Sequence, residues 1–426
     1  MPAIRPFKGL RYNSEVAGSI EDNVAPPYDI IFDEWREKLY ERSPYNIIRL
    51  IKSKDEPGDT DNSNKYTRAA DDIENWQKEA ALKLDDEPAV YLRADTYAVN
   101  GEERIRYGFI ALLKIENFGE NVHPHERTLS GPKADRLKLV STTKTNLSQI
   151  FSIYRDPEFT VKNLMEPVLA TDPDVDFVDE QGIRRRLWSV NDKDFITELC
   201  DFMQGKDIII ADGHHRYETA INYKKMMESE RKSDDEPFDY VSMYFASADD
   251  SGMTILPTHR KVSNVSSFNQ RTFFWKMAET FDVQYLGETS NLDDVLEKIA
   301  AVADKTNAYG LFSCDGWGIA TLKEPSDPKD LDVDILHNSI IEDLLGISRE
   351  DIASGKHVHF CKSADHAIED VANHTDQISF FMNPVTTDEL FSTILKGVRM
   401  PQKSTYFFPK TMSGLVMYKI EDDSLG

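Results

Sequence analysis

The sequence predicts a mixed α/β protein, α+β in class, built from two domains. Three observations lead there. Apolar runs of strand length alternate with helix-period segments along the chain. Hairpin signals stand at Asn100-Gly101 and Asp315-Gly316. A charged stretch, Glu230-Arg-Lys-Ser-Asp-Asp-Glu-Pro237, marks a shift in composition, so the domains are expected over 1–235 and 236–426. A chain of 426 residues has room for two or three domains, and 40% hydrophobic with 29% charged residues suits a globular protein.

Residues 1–11 are basic and punctuated by Pro and Gly, an extended lead-in. Val24-Ala-Pro-Pro27-Tyr28-Asp29 is held extended by its prolines and presents Asp29 beside a turn. Residues 32–42 read as a helix and 47–51 as a strand. Arg49 is a lone cation in that apolar run, and a buried Arg needs an anionic partner, a carboxylate or a ligand. Residues 54–64 form a charged loop, and 66–84 an amphipathic helix. Strands at 89–97 and 104–115 make the first hairpin. A strand at 146–154 follows, then a segment whose Arg184-Arg-Arg186 run reads as a solvated face, then a helix at 194–203.

Residues 240–246 and 253–256 predict a hairpin ending at Pro257-Thr258-His259-Arg260. Beyond it, helices at 267–280, 291–304, 334–345, 363–373 and 386–396 alternate with strands at 282–286, 356–361 and 377–381 and a hairpin at 308–322. No internal repeat is found.

The chemistry concentrates in three patches. The central one is Asp212-Gly-His-His-Arg216, between an apolar strand at 207–211 and a helix whose Ala220, Tyr223 and Met227 share a face. Asp212 suits an N-cap. His214, His215 and Arg216 then occupy a first helical turn, where unpaired N–H groups and the dipole already make the surroundings positive. Cations belong there only if an anion joins them, and helix N-termini bind phosphate readily.

The second patch is His123-Pro-His125-Glu126-Arg127 running on through Lys133 to Arg136, a loop and then a helix from Lys133 to about Lys144. The third is Lys403-Ser404-Thr405 to Lys410, an ammonium and two hydroxyls without the glycines of a P-loop. His259-Arg260 at a strand end adds a further phosphate signal. Cations to neutralise phosphoryl oxygens and a base for an attacking hydroxyl are what phosphoryl transfer needs. Asp29, Asp212 and Glu126 are candidates for the base and for holding Mg2+. His214 and His215 are candidates to donate to phosphate or move a proton.

A formal net charge of −25 argues against nucleic acid or an anionic membrane as the main partner. Cys200, Cys314 and Cys361 match no zinc module or disulfide framework, so a reducing, cytoplasmic setting is expected. No stretch suits a signal peptide or a bilayer span. The oligomeric state is not legible.

Pro27-Tyr28-Asp29, Asn46-Ile-Ile-Arg49-Leu-Ile, His125-Glu126-x-Thr128, Pro132-Lys-Ala-Asp-Arg136-Leu, Asp212-Gly-His-His-Arg216-Tyr, Pro257-Thr-His-Arg260 and Met400-Pro-Gln-Lys-Ser-Thr-Tyr-Phe-Phe-Pro-Lys410 together resemble one family. It was catalogued as a domain of unknown function and is associated with pyrophosphate-dependent L-serine kinases. The central motif also looks like the Gly-x-x-Arg-x-x-Ala box of ParB/sulfiredoxin-like proteins, which include ATP- or ADP-dependent free-serine kinases and nucleotide-binding regulators.

The resemblance implies a ParB-like N-terminal half with a second α/β domain. It implies pyrophosphate and Mg2+ held by His214, His215 and Arg216 with Lys133, Arg136 and the Lys403-Ser404-Thr405 patch, and metal contact at Asp212. Arg49, His125, His259, Arg260 and Lys410 are further expected phosphate or substrate ligands. Asp29 or Asp212 would take the proton of the serine hydroxyl, yielding O-phosphoserine.

Overall fold

The protein was analysed as a computed structural model that describes residues 4–126, 131–266, 268–288, 290–324, 331–401 and 403–425. The architecture is mixed α/β, as the alternation of patterns predicts. The chain forms two compact units: residues 1–254 with 407–426, and residues 255–406. A single cut near 235 does not describe this division. The strand Tyr240–Ser247 lies inside the first sheet, between Ile150–Tyr154 and Glu102–Lys114. It makes no hairpin with Thr254–Leu256.

Among the described residues the first unit has a nine-stranded sheet. Its path runs Val122–Pro124, Ile208–Asp212, Ile150–Tyr154, Tyr240–Ser247, Glu102–Lys114, Val90–Val99, Arg184–Val190 and Val175–Val178, and Ile4–Arg5 pairs beside Glu102–Lys114. The hairpin signal at Asn100-Gly101 is realised, with both residues at positive φ.

Strand periodicity divides this sheet into two unlike faces. Leu92, Ala94, Phe109, Ala111, Ile150, Ile208, Ile210, Met243 and Phe245 point into the main apolar core. The helices Thr160–Leu169, Lys193–Met203 and His214–Met227 cover that face through Met165, Leu199 and Tyr217. Each fully buried side chain of this size contributes ~1.5–3 kcal/mol. The opposite face carries polar and aromatic groups. Asp212, Phe151, Tyr244, Ile110 and Tyr91 are successive register partners along it.

Asp212 is on that face because of an irregularity. Ile208 and Ile210 point into the core, and strict alternation would send Asp212 after them. The register shifts between Ile210 and Asp212, so that Asp212 pairs with Phe151. Bulges of this kind re-aim one side chain at the end of a strand.

Three sequence expectations change for local reasons. Residues Ile48–Ile51 form a short helical turn rather than a strand, begun by the Asn46 side chain accepting from the Ile48 N–H (2.9 Å). Arg184-Arg-Arg186 is not a solvated face. It lies in a strand, where alternation leaves Arg184 exposed and buries Arg185. The helix expected over 66–84 is Lys65–Lys78, opened by an Asn64–Thr67 capping box, and Leu82–Leu84 is a separate strand.

In the second unit, Phe281–Gly287, Gly316–Leu322, Ala308–Ser313, Ile378–Phe381, His259–Val262 and Val358–Cys361 form one sheet in that order. Its pairs are antiparallel. The helices Leu292–Ala300 and Ala364–Ala372 pack on it through Val295, Ile299 and Ala367. Among the described residues no helix is long and apolar enough to cross a membrane.

Gly108 leaves room for the aromatic face. A Cβ there would stand 2.3 Å from the Phe245 carbonyl oxygen and 2.6 Å from the Tyr244 ring. Gly108→Ala is expected to cost about 1–3 kcal/mol by overpacking. A lower urea midpoint would show this, and an unchanged midpoint would contradict the packing described.

Candidate active site

The strand Ile208–Asp212 ends at Gly213, whose φ of 92° is readily available to glycine. The helix His214–Met227 begins at the next residue. Asp212 is not its hydrogen-bonding cap, because no side chain caps this helix start. Asp212 instead binds two cations. Lys410 Nζ donates to Oδ1 at 2.9 Å, and Arg216 Nη2 donates to Oδ2 at 3.0 Å. Arg216 Nη1 also donates to the Gln149 carbonyl at 2.6 Å.

A Cβ on residue 213 would lie 2.7 Å from Arg216 Nε, so a larger residue would push that guanidinium aside. Burial alone would raise the Asp212 pKa. Lys410 and Arg216 overcome that and hold it well below the usual carboxylate range.

A histidine pair stands beside this carboxylate. His125 Nδ1 meets the Ile210 carbonyl at 2.6 Å and therefore carries a hydrogen. The His125 backbone N–H donates to His214 Nε2 at 3.3 Å. The rings lie edge to face, 4.6 Å between centroids. With Nε2 accepting, neutral His214 holds its proton on Nδ1, which faces Glu126 at 3.7 Å. Burial, followed by the neighbouring His125, pushes the His214 pKa well down, so the ring is neutral near pH 7.

His215 points elsewhere. Its Nδ1 is 3.9 Å from Glu218, which Lys133 also binds at 2.8 Å. Burial and then Lys133 lower its pKa, against Glu218 and the field of Asp29.

Asp29 lies exposed on a turn after Pro27. Beside it, the Tyr28 ring is covered by the Arg136 guanidinium at 4.0 Å. Burial raises the Tyr28 pKa, while Arg136 and Arg216 both oppose that rise. Arg136 is fixed by Asp135 and by the Ile51 carbonyl at 2.9 Å. Arg136 and Tyr28 line two cavities. One is mostly apolar and includes Arg216, Leu139, Ile150 and Tyr223. The other, about 200 Å3, is lined by Arg36, Lys52, Lys65 and Asp135. Burial, and then Arg36, lower the pKa of Lys52.

The remaining expected ligands have local partners of their own. Arg49 donates to the Tyr40 carbonyl at 2.9 Å and lies 4.6 Å over its ring. Its cavity also takes in Arg68, Asp71 and Asp72. His259, Arg260, Lys403, Ser404 and Thr405 belong to the second unit. There Arg260 is buried, stacked on Phe360 at 5.1 Å, and donates to the Thr258 carbonyl, to the Lys403 carbonyl at 3.4 Å and to His337 Nε2 at 3.4 Å. Lys403 has φ 55°, and the Ser404 hydroxyl donates to the Pro401 carbonyl at 2.6 Å. Burial and then Arg260 lower His259 to about 4. Arg127, Thr128 and Gln402, quoted in the sequence motifs, lie outside the described residues.

Among the described residues no three His, Cys, Asp or Glu side chains gather to hold a metal. Each Asp212 oxygen already faces a cation. A lone carboxylate suits a Mg2+ that arrives on phosphate oxygens better than one held by protein alone.

The profile of one family, described as "Protein of unknown function (DUF1015)", matches residues 4–339. The chain belongs to the DUF1015 family. No curated protein matches it. Among solved structures it is similar to a conserved hypothetical protein from Pyrococcus furiosus, at 12% identity and TM-score 0.35, over 70% of this chain and 91% of that one. A free serine kinase in complex with AMP matches at 12% identity and TM-score 0.36, over 70% and 89%. C-terminally truncated SbnI from Staphylococcus aureus matches at 11% and 0.34, over 72% and 86%.

Sequence reasoning on this DUF1015 member missed Gln149, Glu218 and Lys52. Helical spacing carried the signal for Glu218, which lies three residues after His215. Gln149 acts through its carbonyl, so its side-chain type gave none.

His214 sets a pH dependence. The unfolded chain protonates this residue near pH 6.5, while the folded chain does so only far lower. Unfolding then takes up a proton, so stability falls as pH drops below 6.5, by about 1.4 kcal/mol per unit for one such group. Urea titrations from pH 7 to 5 should show a steeper loss for wild type than for His214→Gln. Equal slopes would mean the ring is charged in the fold.

Proposed function

We propose that this protein is a phosphotransferase that moves a phosphoryl group from pyrophosphate to the hydroxyl of free L-serine, giving O-phospho-L-serine and phosphate. The observation that carries the phosphoryl-transfer reading is the Lys410–Asp212–Arg216 arrangement at a helix start. Two cations stand together there, held by one carboxylate. An incoming phosphate can take over those cations, and a buried neutral histidine adds no competing charge. Donor and acceptor identity rest on the family resemblance in the sequence.

In this reading Lys410 and Arg216 bind the donor, with Lys133, Arg136 and His215 beside them. Asp212 orients the two cations before the donor arrives. Its strongly depressed pKa makes it a poor base. Asp29 is better suited to accept the serine proton, because it stands exposed on the turn after Pro27 with no ion pair among the described residues. Oxygen attacks phosphorus as the bridging P–O bond breaks, and phosphate leaves. Mg2+, bound through Asp212 and the donor, would neutralise phosphoryl oxygens. His259, Arg260 and Lys403-Ser404-Thr405 remain proposed phosphate ligands. Arg49 and Glu126 are proposed to support the site, Glu126 through His214.

ATP or ADP as donor is favoured by one feature. The apolar cavity lined by Leu139, Ile150 and Tyr223 includes Arg216 and offers a surface for a base. Incubation with L-serine, Mg2+ and each of pyrophosphate, ATP and ADP, read by 31P NMR, separates these donors. Phosphoserine is expected with pyrophosphate, and no product from any donor would remove the kinase reading.

Asp29→Asn should lower kcat by about 10²–10⁴-fold. Turnover within a few-fold of wild type would exclude it as the base. Arg216→Ala should raise KM for the donor more than for serine, and the reverse order would reassign it.

A further inference from the structure

Three arginines meet inside the first unit, away from the groups assigned above. Arg93, Arg106 and Arg185 are almost fully buried, and all three approach one carboxylate, Asp95. Arg93 Nε donates to Oδ1 at 2.9 Å, and Arg106 Nη2 to Oδ2 at 3.0 Å. Arg185 Nη1 lies 3.2 Å from Oδ1. Arg185 is also paired with Asp179 at 2.8 Å. Three cations therefore face two carboxylates, an excess of one positive charge in the protein interior.

The donors are also in excess. Arg93 Nη1 and Nη2 and Arg106 Nε and Nη1 are buried without a hydrogen-bond acceptor among the described residues. Aromatic groups cover the guanidiniums; the Tyr244 hydroxyl faces Arg106, but it is neutral and cannot balance the charge. Arg106 lies 4.7 Å from the Phe151 ring centre, and Arg93 and Arg106 lie 5.2 and 5.6 Å from that of Tyr244. Buried donors and buried charge are both costly when left alone. One compact anion satisfies both, adding the missing charge and accepting several N–H groups.

We infer that Arg93 and Arg106, with Arg185 beside them, bind a small monovalent inorganic anion of the chloride type on the Asp212 face of the large sheet. The charge excess sets its valence. Total enclosure of the three side chains selects a small ion over a carboxylate metabolite. The site is separate from the phosphoryl site but adjoins it. Phe151, beneath Arg106, is the register partner of Asp212 and stacks edge-on against Phe407, three residues before Lys410. Burial and repulsion from Arg185 and Arg106 lower the Arg93 pKa against the pull of Asp95, whereas at Arg106 burial is outweighed by Tyr244 and Asp95, which raise it.

The test uses the full chain. Crystals grown in sodium bromide should give an anomalous peak within hydrogen-bond distance of Arg93 and Arg106 nitrogens, and no peak there would overturn the assignment. In solution, Tm in sodium chloride should exceed that in sodium gluconate of equal ionic strength by about 2–4 °C. Arg93→Gln removes the excess charge and should abolish that difference. A variant that keeps the full chloride increment contradicts the site. If Arg93→Gln does not fold, the bromide crystal decides alone.

Discussion

Much of the first unit depends on how one carboxylate is neutralised. Asp212 stands at the end of an otherwise apolar strand, with side-chain exposure of 17%. A carboxylate so placed must be paired or must lose its charge. It is paired twice, by Arg216 one helical turn on and by Lys410, 198 positions away in sequence. The second pair fastens the C-terminal segment to the strand beside the Val122–Pro124 edge of the large sheet. Lys410 belongs to the segment 407–426 that returns to the first unit. The register shift that turns Asp212 from the core face is what lets both cations reach it. Without the shift, the carboxylate would point in among Ile208, Ile210 and Tyr217.

This arrangement is a poor investment if stability alone is considered, since well-packed apolar groups often replace buried ion pairs without loss. It makes better sense as a holding state. In the proposed reaction the carboxylate would keep a lysine and an arginine at a helix start, where the dipole disfavours them, until a stronger anion arrives. The neighbouring histidines fit the same logic. His214 is buried and neutral, so it tightens the strand, loop and helix through hydrogen bonds without adding to the positive field. A protein with a net charge of −25 can still attract phosphate if its cations are gathered in this way.

Much of the fold was legible in the sequence where the signal was periodic. The Asn100-Gly101 hairpin, the Ile208–Asp212 strand with its helix, and most alternating elements of the second unit stand where their patterns placed them. Short-range signals misled where long-range pairing decided the outcome. Tyr240–Ser247 looked like half of a local hairpin but is a central strand, because its partners lie at 102–114 and 150–154. The charged stretch before Pro237 read as a domain boundary for the same reason. Arg184-Arg-Arg186 looked solvated because charge was weighed above alternation, yet a strand buries every second residue whatever its charge. Residue types singled out Asp212, Arg216 and Lys410 as candidates but not their mutual pairing. The bulge, the Gln149 carbonyl and the Asp95 cluster leave no local mark that composition or motif reveals.

The central claim is that the cations paired with Asp212 are the phosphate-binding groups. A crystal structure of the full chain with pyrophosphate and Mg2+ tests it most directly. Phosphate oxygens should lie within hydrogen-bond distance of Lys410 Nζ and the Arg216 guanidinium, with at least one of their bonds to Asp212 lengthened. Pyrophosphate bound elsewhere, with both ion pairs to Asp212 intact, would contradict the account.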